Sequence, residues 1–317
     1  MPAVSFTRRE FLAATAAAAS AAALAGCASA PPAPAAVIDT HTHFYDPTRP
    51  QGVPWPPKND AVLYRPVYPD EFKRLAQPHG VTGTVVVEAS PRVEDNQWVL
   101  DLAARDKFLL GLVGHLKPGR PGFAEDWQRF AANPLFRGLR TGGWEVKLAP
   151  DDVDYLRDLR RLAERGLALD VLISPEQLPL VARLAAALPD LRIVIDHCAN
   201  VRIDGRVLPA AWRAGVRACA AHRRVFMKVS GLVEGTGRAD GSAPADVEFY
   251  RPTLDAIREA FGDDRVIFGS NWPVSARFAS YATVFGLVAD YFRAQGPDAA
   301  AKYFSRNAAR AYGVGGR

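Results

Sequence analysis

Two histidines two residues apart close the run Ile38-Asp39-Thr40-His41-Thr42-His43. On an extended strand such residues point to the same side, so His41 and His43 can offer two imidazoles to one point. Neutral imidazoles bind zinc and similar divalent ions. Two polar rings at a rim would show the same spacing without a metal, and the pair alone leaves both readings open. A second polar pair, Asp196-His197, ends the apolar run Arg192–His197, and a third signal, Gly269-Ser270-Asn271-Trp272-Pro273, ends the run Arg265–Gly269.

Other groups with chemical capacity stand at the ends of apolar runs. In Arg137-Gly138-Leu139-Arg140 the alternation of a strand sends the two guanidinium groups to opposite faces. Arg140, nearer the C-terminal end, is the candidate for binding a carboxylate or a carbonyl through two parallel hydrogen bonds. Arg137 suits a salt bridge to a helix. Lys228, inside Val225–Ser230, needs a partner if it is buried; it is either a site cation or half of an internal ion pair. Glu88 ends Thr84–Glu88 and is a candidate base or hydrogen-bond partner. His115 reads as a rim or structural histidine, and His79 and His222 as helix-end residues. Phe44, Tyr45, Trp55 and Tyr64 can wall a substrate, with Trp272 packed at the mouth.

Positioning these groups requires a scaffold in which strand ends converge. Eight short runs rich in Val, Ile and Leu recur: Val37–Thr40, Thr84–Glu88, Leu109–Gly114, Phe136–Arg140, Leu167–Ile173, Arg192–His197, Val225–Ser230 and Arg265–Gly269. Continuous apolar runs of this length mark parallel strands buried on both faces. Helical patterns fall between them. Asp151–Arg165 carries Val153, Leu156, Leu159 and Leu162 at steps of three. Ser174–Leu188 opens on Ser-Pro-Glu, with Pro175 in a tolerated first-turn position. Pro252–Phe261 stops at Gly262, and helices near Tyr281–Gln295 and Asp298–Tyr312 close the chain. Strand then helix, eight times, predicts an α/β fold, a single (β/α)8 TIM barrel. A doubly wound sheet would want a G-x-G-x-x-G after its first strand, and none follows Thr40. The irregular stretch Phe44–Val67, rich in Pro and aromatics, is long enough to be functional and is expected to wall the site.

Composition narrows the partners. At 49% hydrophobic and 23% charged residues the chain is an ordinary globular one, neither disordered nor collagen-like. The net charge of +5 is spread over 39 basic and 34 acidic residues without a Lys/Arg block, which argues against nucleic acid.

Taken in order, H-x-H after strand one, Asp-His after strand six, Lys228-Val229-Ser230-Gly231 after strand seven and G-S-x-W-P after strand eight resemble the amidohydrolase-related family of (β/α)8 hydrolases. The nearest look is its branch of sugar-lactone and dicarboxylate-lactone hydrolases, and the likeness covers most of residues 37–312. The resemblance implies that His41, His43 and His197 are metal ligands or substrate-polarising groups, and that Asn271 occupies the place of the family's water-activating Asp. An amide has no carboxylate basicity, so Asn271 can orient water or a substrate hydroxyl but cannot be a general base. Strands four and five lack the bridging Lys or Glu and the His of binuclear relatives, so at most one divalent metal such as zinc is implied, and a metal-independent site is the alternative. The resemblance implies a small-molecule substrate and a lactone hydrolase in which water attacks a carbonyl polarised by the histidines, Arg140 or a metal. Two alternatives stand beside it: a metal-dependent non-oxidative decarboxylase, and a non-catalytic binding lipoprotein on a degenerate scaffold.

The N-terminus carries an address. Thr7-Arg8-Arg9-Glu10-Phe11-Leu12 resembles a twin-arginine export signal, and Phe11–Ala25 is weakly apolar and too short to span a membrane comfortably. Leu24-Ala25-Gly26-Cys27 is similar to a lipobox, which would lipidate Cys27; Ala28-Ser29-Ala30 offers plain cleavage instead. The sequence thus predicts a signal over residues 1–26, a Pro/Ala tether over 27–36 and the barrel over 37–317, in a periplasmic or membrane-anchored protein. Cys198 and Cys219 can pair in an oxidising compartment, but buried thiols are the preferred reading.

Overall fold

The computed structural model describes residues 36–142 and 148–314. The export motif, Cys27 and nearly all of the tether lie outside the described residues. Eight parallel strands run in chain order: β1 Val37–Thr42, β2 Val81–Val87, β3 Leu109–Gly114, β4 Phe136–Thr141, β5 Ala168–Val171, β6 Arg192–Ile195, β7 Val225–Val229 and β8 Val266–Phe268. Each pairs with the next, from β1 through β8. The first and last are stitched just beyond their ends, where the Asn271 amide donates to the His41 carbonyl and the His43 amide to the Trp272 carbonyl, both at 2.9 Å. Helices follow the strands, so the fold is the (β/α)8 barrel expected from the apolar rhythm.

The main core lies between strands and helices; a second apolar cluster fills the barrel floor. Ile38, Val85, Val113, Ala168, Val194, Phe226 and Ile267 meet there, closed off by Ala308, Ala311 and Tyr312 of the last helix, Asn307–Tyr312. Ile38 faces inward, and so does His41 three residues later, which strict alternation forbids. The register between β1 and β2 slips between Asp39 and Thr42. Such an irregularity re-aims the residues after it and brings the H-x-H segment over the barrel axis.

Two sequence expectations change. The helix expected over Asp151–Arg165 spans Val153–Glu164 and is capped by Asp152, whose side chain accepts from the Tyr155 amide at 3.0 Å. Leu159 and Leu162 are buried but Val153 is 75% exposed, because steps of three lag a 3.6-residue turn. The sixth strand stops at Ile195, leaving Asp196 and His197 outside it. The long segment after β1 is pinned rather than loose. Tyr45 and Val67 exchange backbone hydrogen bonds at 3.1 and 2.8 Å, and the Tyr45 hydroxyl donates to the Leu63 carbonyl at 2.9 Å.

Candidate active site

A charged layer sits directly on the apolar floor. Lys228 of β7, Asp170 of β5 and Asp196 have no solvent exposure. The Lys228 Nζ lies 2.6 Å from Asp170 Oδ2, 3.0 Å from Asp196 Oδ1 and 3.2 Å from His41 Nδ1. The Tyr312 hydroxyl donates to Asp170 Oδ2 at 2.9 Å. One ammonium therefore serves two carboxylates. Burial acts to lower Lys228, but the charges of Asp170 and Asp196 more than reverse it, so the lysine is held charged. Burial lifts Asp170 to about 7 against the pull of Lys228. Asp196 goes the other way: burial opposes its charge, but Lys228 and then His41 hold it well below the usual carboxylate range. Of the two roles weighed for Lys228, the structure gives the internal ion pair. It lies beneath the site and is not among the residues lining the cleft, which corrects its expected place in substrate binding.

His197 reaches the layer through a strained turn. His197, Cys198, Ala199 and Asn200 all have φ between +51° and +58°, a left-handed region that non-glycine residues rarely enter. The turn is held by bonds from Ala199 N to Asp196 O at 2.9 Å, Trp212 Nε1 to Cys198 O at 3.0 Å and Asn200 Nδ2 to Ile173 O at 2.8 Å. Because the backbone leaves the strand here, strand alternation does not separate Asp196 from His197. Ser230 Oγ lies 2.8 Å from His197 Nδ1 and accepts from its amide at 3.3 Å. Gly231 follows with φ +64°, and a Cβ there would stand 2.7 Å from the Cβ of His197. Only glycine fits both the dihedral and the approach.

His41, Asp196 and His197 offer ligand atoms within 4.8 Å of one another, all buried. His41 Nε2 and Asp196 Oδ2 are buried without a hydrogen-bond partner. Orphaned lone pairs of this kind are costly unless something occupies them, and a nitrogen, oxygen, nitrogen donor set suits a first-row divalent ion. The residues present therefore fit one metal. The set differs from the expected one: Asp196 replaces His43. His43 is not in this cluster; its ring has Nδ1 2.9 Å from the Val87 carbonyl, which takes the single N–H of the neutral imidazole, and Nε2 3.2 Å from Asn271 Oδ1. Burial, helped by Arg140, lowers His43 to about 3, and burial lowers His197 to about 4, so both are neutral at ordinary pH.

Above these groups opens a cleft of about 240 Å³ lined by His43, Trp55, Ala89, Arg140, Leu172, His197, Asn271 and Val274. Larger hollows of about 430 and 460 Å³ lie beside Gly262 and Leu191, near the N-terminal ends of β8 and β6, where a barrel does not keep its chemistry. Arg140 reaches the cleft but is not alone: its Nε donates to Glu88 Oε1 and one Nη to the Glu88 carbonyl, both at 2.8 Å. Glu88 also accepts from the Ser90 amide at 2.8 Å. Burial raises Glu88, and Arg140 works against that rise. Glu88 thus holds Arg140 in place and is absent from the cleft lining, unlike a free base. Tyr45 and Trp272 also lie outside it. Tyr45 packs edge-on against Trp55 at 5.4 Å, and Trp272 sits among Phe44 and Phe72 at 6.2 and 5.3 Å. Tyr45 thus backs Trp55, which does line the cleft.

Asn271 adopts φ +58°, which asparagine tolerates better than most residues. Its Nδ2 donates to Glu234 Oε1 at 2.8 Å. Glu234 follows Gly231 in the short helix Leu232–Gly235 and carries no motif that would single it out. Burial raises its carboxyl to about 7. Asp39 also went unassigned. It accepts from the Ser270 and His41 amides at 2.9 and 3.1 Å and from the Tyr281 hydroxyl at 3.3 Å, tying the H-x-H segment to the segment after β8. Cys198 and Cys219 are free buried thiols, both pushed up to about 12 by burial.

Residues 38–314 match the amidohydrolase family model. The chain is 33% identical over 289 residues to an L-fucono-1,5-lactonase of Burkholderia ambifaria, covering 87% of this chain and 95% of that one. It is 31% identical over 258 residues to an L-fucono-1,5-lactonase of Burkholderia multivorans, covering 79% and 86%. A solved amidohydrolase from Burkholderia multivorans with bound zinc superposes with a TM-score of 0.79 at 29% identity, covering 89% of this chain and all of that one. Fold, strand-end residues and sequence likeness agree, and the chain belongs to the amidohydrolase family.

Proposed function

We propose that the protein hydrolyses a small sugar-acid lactone. The observation that carries this reading is the cleft, in which a cation, neutral imidazoles and an amide converge beside apolar walls within about 240 Å³. That is below the roughly 300–1,000 Å³ of drug-sized sites and suits a single ring. The L-fucono-1,5-lactonase relatives support the same substrate class. In the reaction, Arg140 faces the lactone carbonyl or a ring hydroxyl, and its guanidinium, fixed by Glu88, favours the oxyanion that forms on attack. Neutral His197 and His43 flank the reacting centre, and Asn271 orients the water. His43, whose Nδ1–H faces the Val87 carbonyl, takes the water's proton at Nε2 as the C–O bond forms and returns it to the ring oxygen as that C–O bond breaks. Trp55 and Leu172 bury the ring face. His41, Asp196 and His197 would hold a divalent ion, whose chemistry when bound is to polarise the carbonyl and acidify water.

Export by the twin-arginine route, with Cys27 lipidated, completes the proposal. It rests on Arg8-Arg9 and Leu24-Ala25-Gly26-Cys27 and would place the hydrolase in the periplasm or on a membrane. Acid release measured on a panel of aldonolactones tests the activity. Ring opening of at least one six-membered sugar-acid lactone is expected; a purified, folded protein that opens none contradicts it.

A further inference from the structure

Asn271 leaves the cleft without the carboxylate that a strand-eight Asp would supply, yet a carboxyl stands immediately behind it. Glu234 Oε1 accepts from Asn271 Nδ2 at 2.8 Å, and the Asn271 Oδ1 is turned to His43 and the cleft. Glu234 is half-buried, but its Oε2 is buried with no hydrogen-bond partner. A carboxyl placed so, in the one-turn helix Leu232–Gly235, is costly to keep. The groups facing it are Asn271, Arg277, Tyr250 and Cys198.

A side-chain amide has two different ends and can present either. What stands behind it decides. An ionised Glu234 only accepts, so it takes the Nδ2–H and turns the amide oxygen to the cleft. A protonated Glu234 can donate to that oxygen and turn the NH₂ outward instead. With the oxygen outward, a cleft water donates a hydrogen bond to Oδ1 and keeps a lone pair free for a carbonyl carbon. With the NH₂ outward, the water's lone pair is consumed.

We propose that Glu234 is a positioning residue of this site, which through Asn271 sets an acceptor oxygen towards the attacking water and so takes over the water-orienting part of the missing strand-eight carboxylate's role. The inference rests on the hydrolase reading above. Glu234 does not touch substrate, and no proton need leave it during the reaction.

The test uses Glu234→Gln, Asn271→Asp and the swap Asn271→Asp/Glu234→Gln, all in the full chain and all nearly isosteric. Gln can accept or donate, so Glu234→Gln loses control of the amide. We expect kcat to fall roughly 10- to 100-fold, the scale of misplacement effects, with KM within about threefold, the signature of an interaction made in the transition state. The swap places the carboxylate at position 271 with an amide behind it, and kcat should return to within about tenfold of wild type. Asn271→Asp alone sets two carboxyls in contact and should gain nothing over wild type. A Glu234→Gln variant as active as wild type, or a swap no better than Glu234→Gln, overturns the proposal. If the wild type opens no lactone, the hydrolase reading fails separately. The Asn271 side-chain amide resonances then decide for Glu234: they should differ between wild type and Glu234→Gln, because the carboxyl that takes the Nδ2–H is gone, and identical amide resonances in the two proteins overturn its role.

Discussion

Replacing Lys228 by Met removes the single ammonium that two buried carboxylates share, while keeping most of the side-chain volume. In the native protein the ammonium lies 2.6 and 3.0 Å from Asp170 and Asp196, with no solvent in reach. Without it, Asp170 retains only the Tyr312 hydroxyl and the neighbouring negative charge of Asp196. Breaking a buried pair from one side costs about 3–5 kcal/mol. At about 2–4 °C per kcal/mol for a domain of this size, Tm should fall by roughly 6–20 °C. The loss should also depend on pH. Asp170 sits at about 7 in the native fold, well above an unfolded aspartate near 3.9. A raised carboxyl contributes stability that is whole below the unfolded value and is lost as pH rises through the folded one. Removing Lys228 raises it further, so the variant should lose more at pH 8 than at pH 6. Adding Asp170→Asn, which removes one stranded charge, should recover part of the loss and flatten its pH dependence. Thermal unfolding of the three proteins at both pH values is the assay. A Lys228→Met variant within about 1 kcal/mol of wild type at pH 8 would refute the reasoning, since it would mean the layer does not depend on its cation.

Gly231→Ala should push His197 out of place, because the added Cβ meets its Cβ at 2.7 Å and the backbone is at φ +64°; a stability loss of about 1–3 kcal/mol with most activity gone is expected, read by urea unfolding beside turnover. Zinc added to chelator-stripped protein should raise the unfolding free energy by about 2.7 kcal/mol at a hundredfold excess over Kd, and His41→Ala should abolish the effect; an unchanged Tm removes the metal role from the His41, Asp196 and His197 cluster. In metal-free protein the pH dependence of stability should be weak between about 5 and 6. Three buried histidines, His41, His43 and His197, have lowered values and cost stability as pH falls below 6.5, while Asp39, Asp170 and Glu234, raised to about 6, 7 and 7, give stability back over the same range. Melting temperatures across pH 4.5–8 check the cancellation, and a steep single-signed slope contradicts it.

Much of this was open to a reader of the sequence, for a physical reason. Parallel strands buried on both faces must be nearly continuous apolar runs, so all eight could be located, and polar residues ending such runs could only face a mouth. That is how His41, His43, Arg140, His197 and Asn271 were found. What the sequence hid was pairing across strands and departures from regular backbone. The register slip in β1 and the left-handed run at His197–Asn200 changed which groups meet, exchanging His43 for Asp196 in the metal-fitting set. Lys228 could be expected to need a partner, but one of its two partners comes from strand five and the other from just beyond strand six, and nothing local announces them. Glu234 was missed because it lies in a one-turn helix with no strand pattern around it. Its contact with Asn271 exists only once β7 and β8 are side by side.

The most direct test of the central claim is the rate of acid release from L-fucono-1,5-lactone and its sugar-acid analogues by the purified protein, with Arg140→Met as control. The account predicts catalysed ring opening by the wild type that is lost when the cleft cation is removed. Failure to open any sugar-acid lactone, with or without added zinc, or full activity in Arg140→Met, would contradict it.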